Sequence, residues 1–504
     1  MKLLLRFFLF LFSITASQAQ ERPNIILFLV DDMGWQDTSL PFGENKTALN
    51  ERYRTPNMER LAREGMKFTN AYATPVCTPT RVSIMTGMNA AHHHITNWTH
   101  IQKDTPTDQE DEMFRRAAWN YNGLSPEKGI PHTIYATPLP KLLKDNGYFT
   151  IHVGKAHWGS MGTPGSNPYN LGFIVNIAGN AIGHPQSFRG EDNYGNLPGK
   201  GTFHAVQDLS EYYGTETFLT EALTLEAIKS LESPIRNRQP FFLNLAHYAV
   251  HIPLQEDKRF YQKYVDAGLD EKEAKYASMI EGMDKSLGDI MDFLKARNIE
   301  QNTIIIFMTD NGGLSLAPPR GGVAHTHNLP LRAGKGSVYE GGIRVPMIVR
   351  WPGVVEAGTT AEQYVIVEDF FPTILEIAGI TSPEMVQEVD GRSFSSILRN
   401  PQHRDQERNL IWHFPNKWQP DGPGINYKSA IRRGDWKLVY HMRNGQLELF
   451  NLRDDISESK DVAKQNPGKV KELSQLMSSQ LKKWKAPMPV VRSSGKTVPW
   501  SDEL

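Results

Sequence analysis

The chain has 504 residues, of which 39% are hydrophobic and 22% charged, with a formal net charge of −1. That balance places it among ordinary globular proteins and offers no basic surface to nucleic acid or an anionic membrane. One cysteine, Cys77, excludes any disulfide within the chain, so a large apolar core must hold the fold.

Residues 1–19 read as a secretory signal. Lys2 and Arg6 supply positive charge, Leu3 to Phe12 an apolar core too short to span a bilayer, and Ser17-Gln18-Ala19 a cleavage site. No later stretch is long enough to span either. The expected product begins near Gln20, carries a net charge of about −3 after loss of two cations, and is exported to the periplasm or outside the cell.

Asn24 to Val30 is a continuous apolar run that stops at Asp31-Asp32, the signature of a strand buried on both faces. Phe149 to Val153, Phe241 to Leu245 and Thr303 to Thr309 repeat the pattern, the last ending in Asp310-Asn311-Gly312-Gly313. Helical periodicity occupies Met58 to Glu64, Leu139 to Asp145, Phe218 to Leu231 and Tyr276 to Leu294. This alternation predicts an α/β fold: a large mixed, mostly parallel sheet sandwiched by helices, with its site beyond the carboxyl ends of the strands. After Leu398 the texture changes. Asn400-Pro401 precedes short strands at Leu410 to Phe414, Lys428 to Arg432, Trp436 to Tyr440 and Gln446 to Asn451, then an amphipathic stretch from Lys469 to Trp484. A catalytic domain over 20–398 and a smaller antiparallel subdomain with one helix over 399–504 are expected.

If the first and last of the long strands are neighbours, Asp31, Asp32, Asp310 and Asn311 converge. Four oxygen-bearing side chains suit a hard divalent cation, Ca²⁺ before Mg²⁺; taken singly, each pair could equally cap a helix or make a turn. Cys77 opens Cys77-Thr78-Pro79-Thr80-Arg81. A buried thiol is the bland account of a lone cysteine, but Pro and Arg at these offsets favour chemistry.

The stretches Asn24 to Gly34, Cys77 to Gly87, Gly154 to Gly159, His251-Ile252-Pro253, Thr309 to Gly313 and Gly334 to Arg344 together resemble the type I, formylglycine-dependent sulfatases of the alkaline phosphatase superfamily, and bacterial glycan sulfatases among them. The resemblance implies that a formylglycine-generating or sulfatase-maturing enzyme oxidises Cys77. The hydrated aldehyde then attacks sulfur with one hydroxyl and uses the other to expel sulfate. It also implies that Asp31, Asp32, Asp310, Asn311 and the modified Cys77 ligate Ca²⁺, that Arg81 holds the nucleophile's oxygens, and that Lys155 and Lys335 clamp the sulfate. His157, expected to point the same way as Lys155 on an extended strand end, serves the nucleophile's hydroxyl; His251 is the general acid.

The implied activity is sulfuric ester hydrolysis on a sulfated carbohydrate: galactose or N-acetylgalactosamine sulfate first, an unsaturated uronate 2-sulfate second, a simple aryl sulfate third. Trp98, His184 and Arg189 are candidate substrate contacts. His92-His93-His94 is expected at the surface or against substrate, and His325 and His327 match no motif. A zinc phosphatase is disfavoured by Asn311, a phosphonate monoester hydrolase shares the cysteine motif, and an inactive carbohydrate-binding protein is disfavoured because each matched catalytic position is present.

Overall fold

Every residue of Asn24–Val30 is buried, and successive side chains enter different cores. Ile25, Leu27 and Leu29 belong to one apolar cluster, Ile26, Phe28 and Val30 to another. A strand has a two-residue side-chain period, so both sheet faces must be covered. The computed structural model describes residues 22–504 apart from 198, 200–202, 317–320, 421 and 423; the signal sequence expected over residues 1–19 lies outside the described residues.

Among the described residues the main sheet has nine strands. Its centre runs Arg344–Arg350, Thr303–Thr309, Asn24–Val30, Phe241–Ala246, Phe149–Gly154. Asn24–Val30 is parallel to both neighbours, with Val30 opposite Thr309 and Leu29 opposite Ala246. One face packs Val82 and Ile84 of the Cys77–Thr86 helix with Leu139, Leu142 and Leu143 of Leu139–Asp145. The other packs Leu223 and Leu231 of Leu219–Arg236 with Met283 and Leu287 of Glu271–Ala296. Each fully buried Ile or Leu contributes roughly 1.5–3 kcal/mol, which is how a chain without disulfides holds together.

Arg344–Arg350 is a strand that the sequence analysis did not assign. It carries Pro346, a residue that argues against an interior strand, yet all seven residues are buried. It runs antiparallel to both Met66–Tyr72 and Thr303–Thr309, and the register shifts between Val345 and Met347. The irregularity at Pro346 absorbs the missing N–H, so the proline is tolerated.

A four-stranded antiparallel sheet follows, Asn409–Phe414, Lys428–Arg433, Trp436–His441 and Leu447–Asn451, with neighbours in sequence order. On one face Ile431, Leu438 and Leu449 pack with Leu473, Met477 and Leu481 of the Pro467–Lys483 helix. On the other, Leu410, Trp412 and Val439 join the main core. Lys437, fully buried, pairs with Glu340 and Glu458 at 2.8 Å each, so the small sheet is fastened to the segment preceding Arg344.

His247, just past the Phe241–Ala246 strand, is fully buried beside the Phe28 ring and bonded through Nε2 to Ser286 Oγ at 2.9 Å. Burial lowers its pKa to about 3. Unfolded imidazole takes up a proton below about pH 6.5 while the folded one refuses it until about pH 3, so this contribution to stability is whole above 6.5 and lost as pH falls. The loss is about 1.4 kcal/mol per pH unit in that window. His247→Gln should therefore flatten the acid limb, with the stability difference from wild type shrinking by about 2 kcal/mol between pH 6.5 and 5 in urea titrations. Parallel acid limbs would contradict this account of His247.

Candidate active site

Because Val30 pairs with Thr309, the residues that follow leave the sheet side by side. Asp32 N donates to Asp310 Oδ1 (3.3 Å), and Asn311 Nδ2 donates to Asp32 Oδ1 (2.7 Å). The Cys77–Thr86 helix begins at Cys77, which puts Arg81 one turn below it on the same face. All these side chains are buried, with the Cys77 side chain at the site floor.

Charges are paired throughout. Lys155 Nζ lies 2.6 Å from Asp31 Oδ2, and Lys335 Nζ 2.6 Å from Asp32 Oδ1. Arg81 reaches Asp310 Oδ2 through Nε (2.9 Å) and Nη2 (2.7 Å), and its Nη1 donates to the Lys155 carbonyl (2.7 Å). His251 Nε2 is 3.5 Å from Asp32 Oδ2. Burial, and then the charge of Asp310, push Asp31 upward, against the pull of Lys155. Burial acts the same way on Asp32, but Lys335 and His251 overcome it and hold that carboxyl below the usual range. Burial raises the Cys77 thiol and lowers His157 and His251 well below the ordinary imidazole value.

The oxygen set fits a hard cation. Asp31 Oδ1 and Asn311 Oδ1 are buried with no hydrogen-bond partner among the described residues, and buried oxygens left in this way are the exception in folded proteins. Ligand atoms of Asp31, Asp32 and His251 lie within 4.8 Å of one another. Carboxylate and amide oxygens favour Ca²⁺ or Mg²⁺ over a softer metal.

His157 Nε2 donates to the Thr99 carbonyl at 2.8 Å, which leaves Nδ1 bare, 3.5 Å from Cys77 Sγ and 3.3 Å from Thr78 Oγ1. It is thus oriented as a proton acceptor toward residue 77. His251 Nδ1 donates to the Ile252 carbonyl at 3.1 Å, which aims Nε2 at Asp32. To give a proton from Nε2, this ring must be doubly protonated. The negative charge of an incoming sulfate pulls in that direction, against burial and the two lysines.

A cavity of about 430 Å³ opens above Cys77. His157, His251 and Lys335 line it with Trp98 and His184; Arg81 and Lys155 do not line it, and both hold carboxylates. Arg81 meets Asp310 through two of its nitrogens. His157 lies beyond the end of the Phe149–Gly154 strand with φ +52°, so it and Lys155 are not on one extended face; the turn aims them at different partners. Arg189 is away from the cavity, bonded to both oxygens of Glu256 (2.6 and 2.7 Å).

The His92-His93-His94 run is structural rather than a substrate or surface feature. His93 is fully buried against Ser83, His92 pairs with Asp390 and stacks on Trp484, and His94 bonds the Trp484 carbonyl. His327 bonds the Gly321 carbonyl. Cavity residues that sequence reasoning missed include His100, His204, Trp418 and Gln419. They sit outside helices and strands; an aromatic ring in a polar stretch was the signal for His100, His204 and Trp418, and Gln419 carried none.

Comparison with known proteins agrees with this geometry. A family model described as Sulfatase matches residues 23–380, and one described as N-sulphoglucosamine sulphohydrolase, C-terminal, matches residues 334–487. A Formosa agariphila protein named Sulfatase is 29% identical over 540 residues, covering 97% of this chain and 92% of its own. The N-acetylgalactosamine-6-sulfatase of Sus scrofa is 31% identical, covering 86% and 82%. A crystal structure of Ps i-CgsB in complex with k-i-k-neocarrahexaose aligns with a TM-score of 0.69 at 29% identity, covering 92% of each chain. The described residues contain no helix long and apolar enough to cross a membrane. With a buried cysteine at a helix start, a carboxylate cluster at two strand ends and a family model spanning most of its length, this chain belongs to the sulfatase family: it is a type I sulfatase of the alkaline phosphatase superfamily, a sulfuric ester hydrolase.

Proposed function

We propose that the chain removes sulfate from an extracellular sulfated glycan, with galactose or N-acetylgalactosamine sulfate as the first substrate class. The observation that carries this reading is the meeting of Cys77, His157, His251 and Lys335 in one cavity whose remaining wall includes Trp98, His184 and Trp418. One end is built for an anion and the rest for a ring with hydroxyl groups. The names of relatives support the sugar class: an N-acetylgalactosamine-6-sulfatase, and a structure holding k-i-k-neocarrahexaose.

Oxidised to formylglycine by a maturing enzyme, residue 77 supplies an oxygen nucleophile in place of a thiol. Ca²⁺, which Asp31, Asp32, Asp310, Asn311 and the modified residue 77 would hold, would supply positive charge for the sulfate oxygens. The chain's own residues divide the remaining work. His157 accepts a proton at Nδ1 while the Thr99 carbonyl fixes its ring. Lys335, at the cavity wall, attracts the sulfate, and His251 presents Nε2 toward the departing oxygen. Arg81 and Lys155 keep Asp310 and Asp31 in place.

Intact-peptide mass spectrometry across Cys77, on protein from a host with the maturing enzyme, tests the central step. The mass lost on converting thiol to aldehyde is expected, and recovery of only alkylatable cysteine would refute the nucleophile. Ca²⁺ added to chelator-treated protein should raise its melting temperature, by an amount that grows with the logarithm of concentration above Kd. The same titration on Asp31→Ala should give no shift; an undiminished shift would place the cation elsewhere.

A further inference from the structure

Trp98 and Trp418 reach the cavity from distant parts of the chain, and one buried carboxylate joins their two loops. Asp108 is 3% exposed, and Asn97 and Asn416 are fully buried. Asn97 Nδ2 donates to Asp108 Oδ1 at 2.7 Å; Asn416 Nδ2 donates to both Asp108 oxygens at 3.0 Å. The peptide of Trp98 is held from both sides: its N–H donates to Asn97 Oδ1 (2.9 Å), and its carbonyl accepts from Thr107 Oγ1 (2.7 Å). Beside this, Gln109 N donates to the Lys417 carbonyl at 2.8 Å. Trp418 follows directly, its N–H bonded to Asn426 Oδ1 at 2.8 Å.

The indole of Trp418 also touches the anion end of the site. Gly336, next to Lys335, has φ +84°, and a Cβ there would lie 2.1 Å from Trp418 Cε3. The ring thus packs on the bare backbone beside Lys335, an approach only glycine permits. Any shift of the loop carrying Trp418 changes the spacing between the aromatic wall and the sulfate position.

We propose that Asp108 is a positioning residue for substrate specificity: by bridging Asn97 and Asn416 it holds Trp98 and Trp418 at the spacing needed to receive a sugar ring while its sulfate lies at Lys335. The inference rests on the glycan reading of the cavity. A ring-stacking wall discriminates only while its spacing is held to a fraction of an ångström. A carboxylate suits the bridge because it accepts from two amide donors and has no N–H to oppose them. Asp108 touches neither Cys77 nor the carboxylate cluster, and burial holds its pKa near 6, so above that pH it accepts as the anion.

The test uses the mature, modified enzyme with galactose 6-sulfate and with N-acetylgalactosamine 4- and 6-sulfates, and 4-methylumbelliferyl sulfate as reporter. Asp108→Asn turns an amide donor toward two amide donors. It should raise KM for the hydrolysed sugar by about tenfold, leave kcat within about twofold, and leave the Ki of inorganic sulfate unchanged. The exchange Asp108→Asn with Asn416→Asp restores a carboxylate to the bridge and should return KM to within about threefold of wild type. Unchanged KM in the single variant overturns the proposal. So does a joint loss of kcat and sulfate affinity, which would mark a general structural role. If the single variant does not fold, the exchange decides: a folded exchange variant with raised KM overturns the proposal, and one with wild-type KM supports it. A wild-type enzyme that cleaves the reporter and none of the sugars overturns the glycan reading and this inference with it; sugar cleavage with an unaffected single variant overturns this inference alone.

Discussion

Cys77→Ala is expected to lower kcat/KM on any sulfate ester by about 10³-fold or more, while the protein still melts cooperatively and inorganic sulfate still binds. Residue 77 sits at the start of a ten-residue helix whose residues are all buried, and its side chain approaches the bare Nδ1 of His157. Removing its reactive atom takes away the group attacked through and leaves Lys335, His251 and the carboxylates where they are. The cavity left by one sulfur costs about 1 kcal/mol, too little to unfold a chain with this much core. Turnover within tenfold of wild type would mean that the nucleophile lies elsewhere. Retained sulfate binding, read as a melting shift, separates loss of chemistry from loss of the pocket.

The second large effect comes from comparing His251→Ala with Lys335→Ala. His251→Ala should lower kcat by about 10²–10⁴-fold with little loss of stability, because the side chain is at the cavity wall and its absence strands no buried charge. Lys335→Ala should lower kcat/KM by about 10²–10³-fold and also destabilise the protein by about 3–5 kcal/mol. Asp32 loses the strongest of the attractions that keep it ionised in a buried position, and it stays beside Asp31 and Asp310. Added Ca²⁺ should recover part of that stability. Equal melting temperatures for the two variants without Ca²⁺, or near-wild-type turnover in either, would contradict these roles. Since Lys155 and Arg81 lie beneath the cavity, their removal should be felt first in Ca²⁺ response and stability rather than in sulfate affinity.

The sheet was legible because its chemistry is periodic. Asn24–Val30 and Thr303–Thr309 announce doubly buried strands, and each ends in acids, so their register alone brings Asp31, Asp32, Asp310 and Asn311 together. Arg344–Arg350 was harder to read, because Pro346 looks like a breaker until the register shift beside Met347 accommodates it. Arg189 and the His92-His93-His94 run show the converse: residue types suited to binding are taken up by structural partners, Ser83 ten residues from His93 and Glu256, Asp390 and Trp484 far away in the chain.

By itself the order of residues determined the α/β class, the lone cysteine with its neighbours Pro79 and Arg81, and the acids at two strand ends. These depend on local period and short spacing, which backbone geometry converts directly into position. Tertiary structure alone decided which cations line the cavity. Lys335 lines the cavity while Lys155 and Arg81 stay beneath it, a difference set by packing depth rather than residue type. It also decided the aromatic wall. Trp98 and Trp418 have no periodic relation, and they meet because the C-terminal sheet shares a core with the main one and Asp108 bridges their loops. Non-local packing and a buried three-residue bridge leave no mark on local sequence, so the reaction class can be read from the chain and the shape of the cavity cannot.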